Sequence, residues 1–310
     1  MSATPFDPDR KFHHRFRAMG SPCEIILESE QGNDSSAIVT LLEKELQRLE
    51  QKYSRFLPDS LTTRINQSAG SGKSIDIDEE TGKLLDYANT CYEQSDGLFD
   101  ITSGSLRTIW NYHDLGEKQV LPDDEVIRKG LEKVGWQKIE RKPESICLPV
   151  AGMEIDFGGI VKEYAADCVA AIAEAKGNGP GMVELGGDIR LFGNTGGKSR
   201  QVGIRNPLDT ASNKPVAFIK MVQGGLATSG DYERYTLIQG KKYSHILNPL
   251  TGWPVEGFSS VSVLADQCVV AGSAASIAVL KGEKGIDWLE ALGLPFLCID
   301  KKGQVSGTLI

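Results

Sequence analysis

The chain has 310 residues, of which 40% are apolar and 25% charged, enough for one large domain or two modest ones with an ample core, and not the make-up of a disordered chain. A formal net charge of -8 and a pI near 5.2 exclude an electrostatic nucleic-acid binder, because phosphate backbones are held by clustered Lys and Arg. No apolar run approaches the roughly 20 residues that cross a bilayer, and Met1 to Arg17 lacks the order of a secretory signal, so no membrane insertion is expected and the expected compartment is the cytoplasm, or the periplasm if a leader has been trimmed.

In chain order, residues 1–17 read as an N-terminal arm, followed by strand character over Cys23–Glu28. Apolar residues at helical spacing (Ile38, Leu41, Leu42, Leu46, Leu49, Tyr53) predict a helix over Ser36–Tyr53. A second helix is predicted over Asp78–Ser95, with Asp78 as N-cap and Asp96-Gly97 as its stop. A third is predicted over Asp123–Val134, entered through Pro122. A short apolar strand is expected to run through Gly158 and Gly159 into a helix that opens with Lys162. Beyond Met182 come short β-like runs at Gln201–Ile204, Val216–Val222, Tyr235–Ile238 and Val261–Leu264, separated by glycine-rich turns. Helices over Cys268–Leu280 and Lys284–Leu292 precede a hairpin of Phe296–Asp300 and Gln304–Leu309. The order lacks regular β-α alternation and predicts an α+β fold with largely antiparallel sheets. One domain over 18–310 is expected, with a subdomain boundary near 177–181.

The six cysteines are widely spaced, with no Cys-x-x-Cys pair, and read as small core residues. Ala69–Ser74 resembles the end of a P-loop, but Gln67 stands where the first glycine is required. The four histidines lack zinc spacing, and no nucleophile elbow is present. The turn Asp156–Lys162 is the strongest local signal: two glycines admit close backbone approach, the following helix start offers free N–H groups, and Lys162 adds positive charge, which together suit phosphate or carboxylate.

Five further glycine-marked segments accompany that turn: Ala18–Ser21, Asp96–Thr102, Glu184–Asp188, Ala227–Tyr232 and Ser244–Gly252. Each alone reads as a turn. In this order, with an Asp-x-x-Gly-x-x-Lys turn, an Ala-Thr-Ser-Gly-Asp-Tyr segment and a His-Ile-x-x-Pro-x-x-Gly segment, they resemble the ApbE family of FAD:protein FMN transferases from about Phe16 to Gly282.

The resemblance implies a protein of ApbE-like, T-fold-related architecture that binds FAD, splits its pyrophosphate with Mg²⁺, attaches FMN to a Thr or Ser hydroxyl of an acceptor protein and releases AMP. By similarity, Met19 and Phe56 flank the adenine side, Phe56 standing where the family usually has Tyr. Gly97, Leu98 and Phe99 line the flavin nucleotide, and Asp156 accepts from a ribose or ring donor. Lys162 pairs with the pyrophosphate, or is a solvated first-turn lysine. His245 is the candidate general base, or a capping histidine, with Ile246 beside it. Ser229 and Asp231 position flavin or acceptor.

Besides Phe56, four positions depart from the pattern. The metal is expected from a backbone oxygen at Gly159 together with an Asp and, four residues on, a Thr, but Gly272 and Ser276 occupy those two places. Either Asp266 or Asp231 substitutes, or the metal step is lost. Glu163 stands where a glycine commonly follows the lysine, and Glu184 where an asparagine commonly precedes the paired glycines; they compensate for Gly272 or mark a site that has drifted. The rival readings are therefore an FAD-binding carrier without transferase activity and an FAD pyrophosphatase.

Overall fold

The computed structural model describes residues 11–28, 35–177, 179–209, 214–232 and 234–309. Its first half contains strands β1 (Lys11–Ala18) and β2 (Ser21–Glu28), helices α1 (Ser35–Tyr53) and α2 (Leu61–Gln67), strand β3 (Ile75–Asp76) and helix α3 (Glu79–Gln94). A 3-10 segment at Ile101–Thr108 leads to α4 (Tyr112–Lys118), α5 (Asp124–Leu131), β4 (Glu140–Lys142) and β5 (Ser145–Cys147), and a 3-10 turn at Phe157–Gly159 opens α6 (Val161–Ala175). Strands β6 (Gly181–Leu185), β7 (Asp188–Phe192), β8 (Arg200–Ile204), β9 (Ala217–Met221), β10 (Gly224–Gly230), β11 (Tyr235–Ile238), β12 (Lys241–Ser244) and β13 (Ser260–Ala265) come next. Helices α7 (Cys268–Lys281) and α8 (Lys284–Leu292) and strands β14 (Phe296–Ile299) and β15 (Val305–Gly307) close the chain.

Eight strands form one sheet in the order β1-β2-β6-β7-β10-β13-β14-β15, and every pairing in it is antiparallel. Period-two alternation sorts its side chains between two faces. Val261, Val263, Phe296 and Cys298 pack on Ala274, Ala275, Ala278 and Leu289 of α7 and α8. The intervening Leu297 and Ile299, with Leu191 and Leu226, pack instead on Val202, Ile204, Ile219 and Met221 of the β8–β9 hairpin. The largest core joins β2 and β6 (Ile25, Leu27, Val183, Leu185) to α1 and α6 (Leu42, Leu46, Leu49, Ala165, Ala166, Val169). The α+β class and antiparallel sheets are as the sequence predicts.

Element by element, the helices over 36–53 and 78–95 fall within a residue of expectation, and Asp78 caps α3 through Thr81 N–H. The expected stop also holds: Asp96 (φ 58°) and Gly97 (φ 82°) are left-handed, and Gly97 N–H closes on the Tyr92 carbonyl. The third helix ends early, at Leu131, because Lys133 and Val134 close tight turns onto Gly130 and Leu131. Residues 1–10 of the expected arm lie outside the described residues, while Lys11–Ala18 pairs with β2 along its whole length. The boundary expected near 177–181 includes Asn178, also outside them.

Two local readings are corrected. The apolar stretch before Asp156 is not a strand: the Asn66 amide pairs with Ile155 in both directions, at 2.8 and 3.0 Å, and so does the work of a neighbouring backbone. Residues 224–230 are not a turn but the strand β10. Its glycines serve close packing, since a Cβ at Gly225 would lie 2.4 Å from the Cys268 backbone at the start of α7.

Candidate active site

The segment 155–163 holds Asp156, Gly159 and Lys162, and meets Phe99 and Gly272 from other elements. Asp156 N–H bonds to the Ile101 carbonyl, and Asp156 Oδ1 caps Gly158 N–H at 2.8 Å. Its other oxygen faces two arginines, Arg107 in a close ion pair and Arg55 Nε at 3.5 Å. Asp156 is thus already committed to the turn and to two cations. Arg55 also lies 4.6 Å over the ring of Phe56, a residue 74% exposed and so available to stack on a planar group.

On the opposite flank, Phe99 is buried and its ring would lie 3.2 Å from a Cβ at Gly159, so glycine is what lets this turn pass the ring. Phe99 N–H is held by Ser95 Oγ at 2.8 Å, Gly97 is buried, and Leu98 is half-buried beside it. Met19 and Gly20 (φ 52° and 73°) form the two-residue tip of the β1–β2 hairpin, and the Met19 side chain packs on the main core.

Helix α6 starts at Ile160, whose apolar side chain gives it no cap. Lys162, in the first turn, reaches the β6–β7 hairpin, where Nζ lies 2.5 Å from Asp188 Oδ2. A Cβ at Gly186 would come within 3.6 Å of the same ammonium and 2.8 Å of Ser21. Asp188 is 3% exposed, and its Oδ1 accepts from Thr228 N–H on β10 at 3.2 Å. Lys162, Asp188, Ser21 and Thr228 therefore meet at one spot.

Next to Lys162, Glu163 is 7% exposed. Burial, and then the negative charge of Asp188 within hydrogen-bonding reach, push its carboxyl well above the usual carboxylate range. Its Oε2 accepts from no donor among the described residues. Across from it, Gly272 on α7 leaves the room it needs: a Cβ there would meet Glu163 Cγ, Oε1 and Cδ at 2.6 to 2.9 Å. The two helices are held in this register by Asp167, one turn along α6, which accepts from Cys268 and Val269 N–H (2.9 Å each) at the start of α7. Ser276, one turn after Gly272, has its hydroxyl 2.8 Å from that of Ser229 on β10.

His245 sits in the turn 244–252, which Trp110 anchors through Nε1 to the Gly252 carbonyl at 2.7 Å, while Ile246 N–H bonds to Ser244 Oγ. His245 Nδ1 lies 3.0 Å from the Arg234 carbonyl. A carbonyl can only accept, so Nδ1 carries the proton and Nε2 the lone pair. Burial, aided by the charges of Arg234 and Arg107, pushes its pKa down to about 4, so the ring is neutral at pH 7. Asp231 is 4% exposed and clasped by Lys242 at 3.1 Å and by Lys301 in a closer pair.

Of the two acids offered as replacements for the missing carboxylate, neither fits. Asp231 is neutralised by its lysines. Asp266 is exposed beside Gly224, at the far end of β10 from Ser229, about 17 Å away at the rise of an extended strand. Among the described residues, no three His, Cys, Asp or Glu side chains gather as a metal site. Glu184 stands opposite Glu24 in the sheet, half-buried. Neither of two open depressions, of about 420 and 560 Å³, contains a predicted site residue.

Sequence reasoning assigned no role to Arg55, Arg107, Asp188 or Lys301. Asp188 lay within a quoted segment, whereas the arginines and Lys301 reach the site from elements with no motif.

A sequence model described as the ApbE family matches residues 19–298. The chain is 29% identical over 299 residues to the FAD:protein FMN transferase of Vibrio cholerae, covering 95% of this chain and 89% of that one. It is also 29% identical over 293 residues to the FAD:protein FMN transferase of Treponema pallidum, covering 86% and 78%. Among solved structures, the ApbE protein of Thermotoga maritima superposes with a TM-score of 0.86 at 29% identity, covering 96% of this chain and 97% of that one. The flavin transferase ApbE from Vibrio cholerae gives 0.84 at 27%, with the same coverage. Among the described residues, no helix is long and apolar enough to cross a membrane.

Proposed function

Because the chain belongs to the ApbE family, we propose that it binds FAD and transfers the FMN half to a Thr or Ser hydroxyl of an acceptor protein. The observation that carries this reading is the likeness, over nearly the whole chain, to proteins named FAD:protein FMN transferase. The geometry agrees with it. A first-turn lysine, a helix start and a glycine-rich turn lie together, and such a combination suits the negative charge of a pyrophosphate.

In the proposed reaction, the acceptor hydroxyl oxygen bonds to the phosphorus of the FMN half as the pyrophosphate P–O bond breaks, and AMP leaves with the bridging oxygen. The hydroxyl proton passes to a base, for which His245 Nε2 is the candidate. Lys162 holds the pyrophosphate, exchanging part of its contact with Asp188 for the phosphate oxygens. Phe56 offers an exposed face to the adenine, and Met19 borders it. Gly97, Leu98 and Phe99 border the flavin nucleotide. Asp156 acts chiefly by fixing Arg107, Arg55 and the turn, and Ser229 and Asp231 support the floor from β10.

Mg²⁺ fits the donors present, which are all hard oxygens: the buried Glu163 carboxyl with its unpartnered Oε2, the Ser276 hydroxyl and the Gly159 carbonyl. When bound, it would neutralise charge on the pyrophosphate. The reading is tested by incubating the protein with FAD, Mg²⁺ and a Thr-bearing acceptor polypeptide, then reading AMP by chromatography and the FMN adduct by mass spectrometry. AMP with an adduct is expected. AMP and free FMN without one would convert the reading to an FAD pyrophosphatase, and FAD bound intact would leave a carrier.

A further inference from the structure

The pair Glu163 and Gly272 asks for an account that helix stability does not supply. A glycine inside a helix is destabilising relative to alanine, and a buried glutamate oxygen that accepts no hydrogen bond is costly in its own right. The two costs share one geometry. Glu163 extends from the first turn of α6 into the volume that a side chain at 272 would fill, with three of its atoms within 2.9 Å of the Cβ position. Asp167, capping α7 from α6, fixes that opposition. Gly272 shares a helix face with Ser276, four residues on, so the Glu163 carboxyl arrives on the face that bears the Ser229–Ser276 hydroxyl pair.

We propose that Glu163 supplies the carboxylate of a divalent-cation site at the Lys162 turn, delivered from α6 through the gap left by Gly272, with Ser276 as a neighbouring oxygen donor. Glu163 is nine-tenths buried, its Oε2 accepts from no donor among the described residues, and a hard divalent cation would satisfy that oxygen. Cations of the Mg²⁺ type are commonly held by one or two carboxylates, with substrate phosphates completing the shell, so a single buried carboxylate such as Glu163 suffices for the protein's share. The inference rests on the flavin-nucleotide reading for the phosphates, but not for the cation itself.

The test titrates Mn²⁺ into the full chain, following free Mn²⁺ by electron paramagnetic resonance, with and without FAD, while FAD affinity is read separately in chelator. Glu163→Gln is expected to weaken Mn²⁺ binding by about tenfold or more and to leave FAD affinity in chelator within about threefold. The exchanged variant Glu163→Gly with Gly272→Asp moves the carboxylate back to α7, and is expected to restore Mn²⁺ affinity to within about threefold of wild type. It also carries the test if Glu163→Gln does not fold. Wild-type Mn²⁺ affinity in a folded Glu163→Gln, or none in a folded exchanged variant, would overturn the proposal. A wild-type protein that binds Mn²⁺ through Glu163 but takes no FAD would defeat the flavin reading and leave this one standing.

Discussion

Gly272→Asp looks, from sequence alone, like a repair that should raise metal-dependent activity. With Glu163 in place the structure predicts the opposite. A Cβ at 272 would sit 2.6 Å from Glu163 Cγ and 2.8 Å from Oε1, well inside contact distance. Glu163 is 7% exposed and already faces Asp188, so it has little room to retreat. Overpacking costs about 1–3 kcal/mol, crowding a further carboxyl against two others adds about 1–2 kcal/mol, and the gain from replacing a helical glycine returns only a few tenths. A net loss of about 2–4 kcal/mol follows, read by urea unfolding as a lower midpoint at unchanged slope. In a Glu163→Gly background the same change should cost far less, giving a coupling of about 1.5 kcal/mol or more. Equal stability of Gly272→Asp and wild type, or an equal cost in both backgrounds, would refute the opposition of these two residues.

Three other outcomes are expected. Lys162→Met leaves Asp188 buried without its ammonium and should cost about 3 kcal/mol in unfolding experiments and about tenfold or more in FAD affinity; a variant as stable as wild type would show the pair to be incidental. Asp231→Asn should destabilise by about 1–3 kcal/mol, because it weakens the hold of a buried group on Lys242 and Lys301; an unchanged unfolding midpoint would count against that clasp. For His245, burial holds the pKa at about 4, below the unperturbed value of about 6.5. The folded state thus prefers the neutral ring, and its contribution to stability is present above about pH 6.5 and lost as the pH falls from there through about 4. The acidic limb of kcat/KM should likewise lie near pH 4, and a limb near 6.5 would show that the ring titrates as if exposed.

The parts of this fold that were legible in the sequence are those set by local chemistry. Leu42, Leu46 and Leu49 repeat at the period of a helix and are all buried in α1, and Asp78 caps α3 because its carboxylate is within reach of Thr81 N–H. The strand β10 was not legible, because its glycines answer to the backbone of α7 rather than to a turn. The stretch before Asp156 misled for a related reason: its partner is a side chain 89 residues away, Asn66. At the candidate site, the motif positions pointed to the turn, the lysine and the histidine. They could not reveal that Asp156 is held by Arg107 or Asp231 by Lys301, because those cations carry no motif. Nor could spacing show that Glu163 and Gly272 are complementary. Each is odd alone, and the sense of the pair lies in the antiparallel packing of α6 on α7.

The most direct test of the flavin-nucleotide site is a calorimetric titration of the purified protein with FAD, run with Mg²⁺ and again with chelator. One FAD per chain is expected, bound more tightly with Mg²⁺ and weakened by Lys162→Met. Absence of FAD binding under both conditions, by a folded protein, would contradict it.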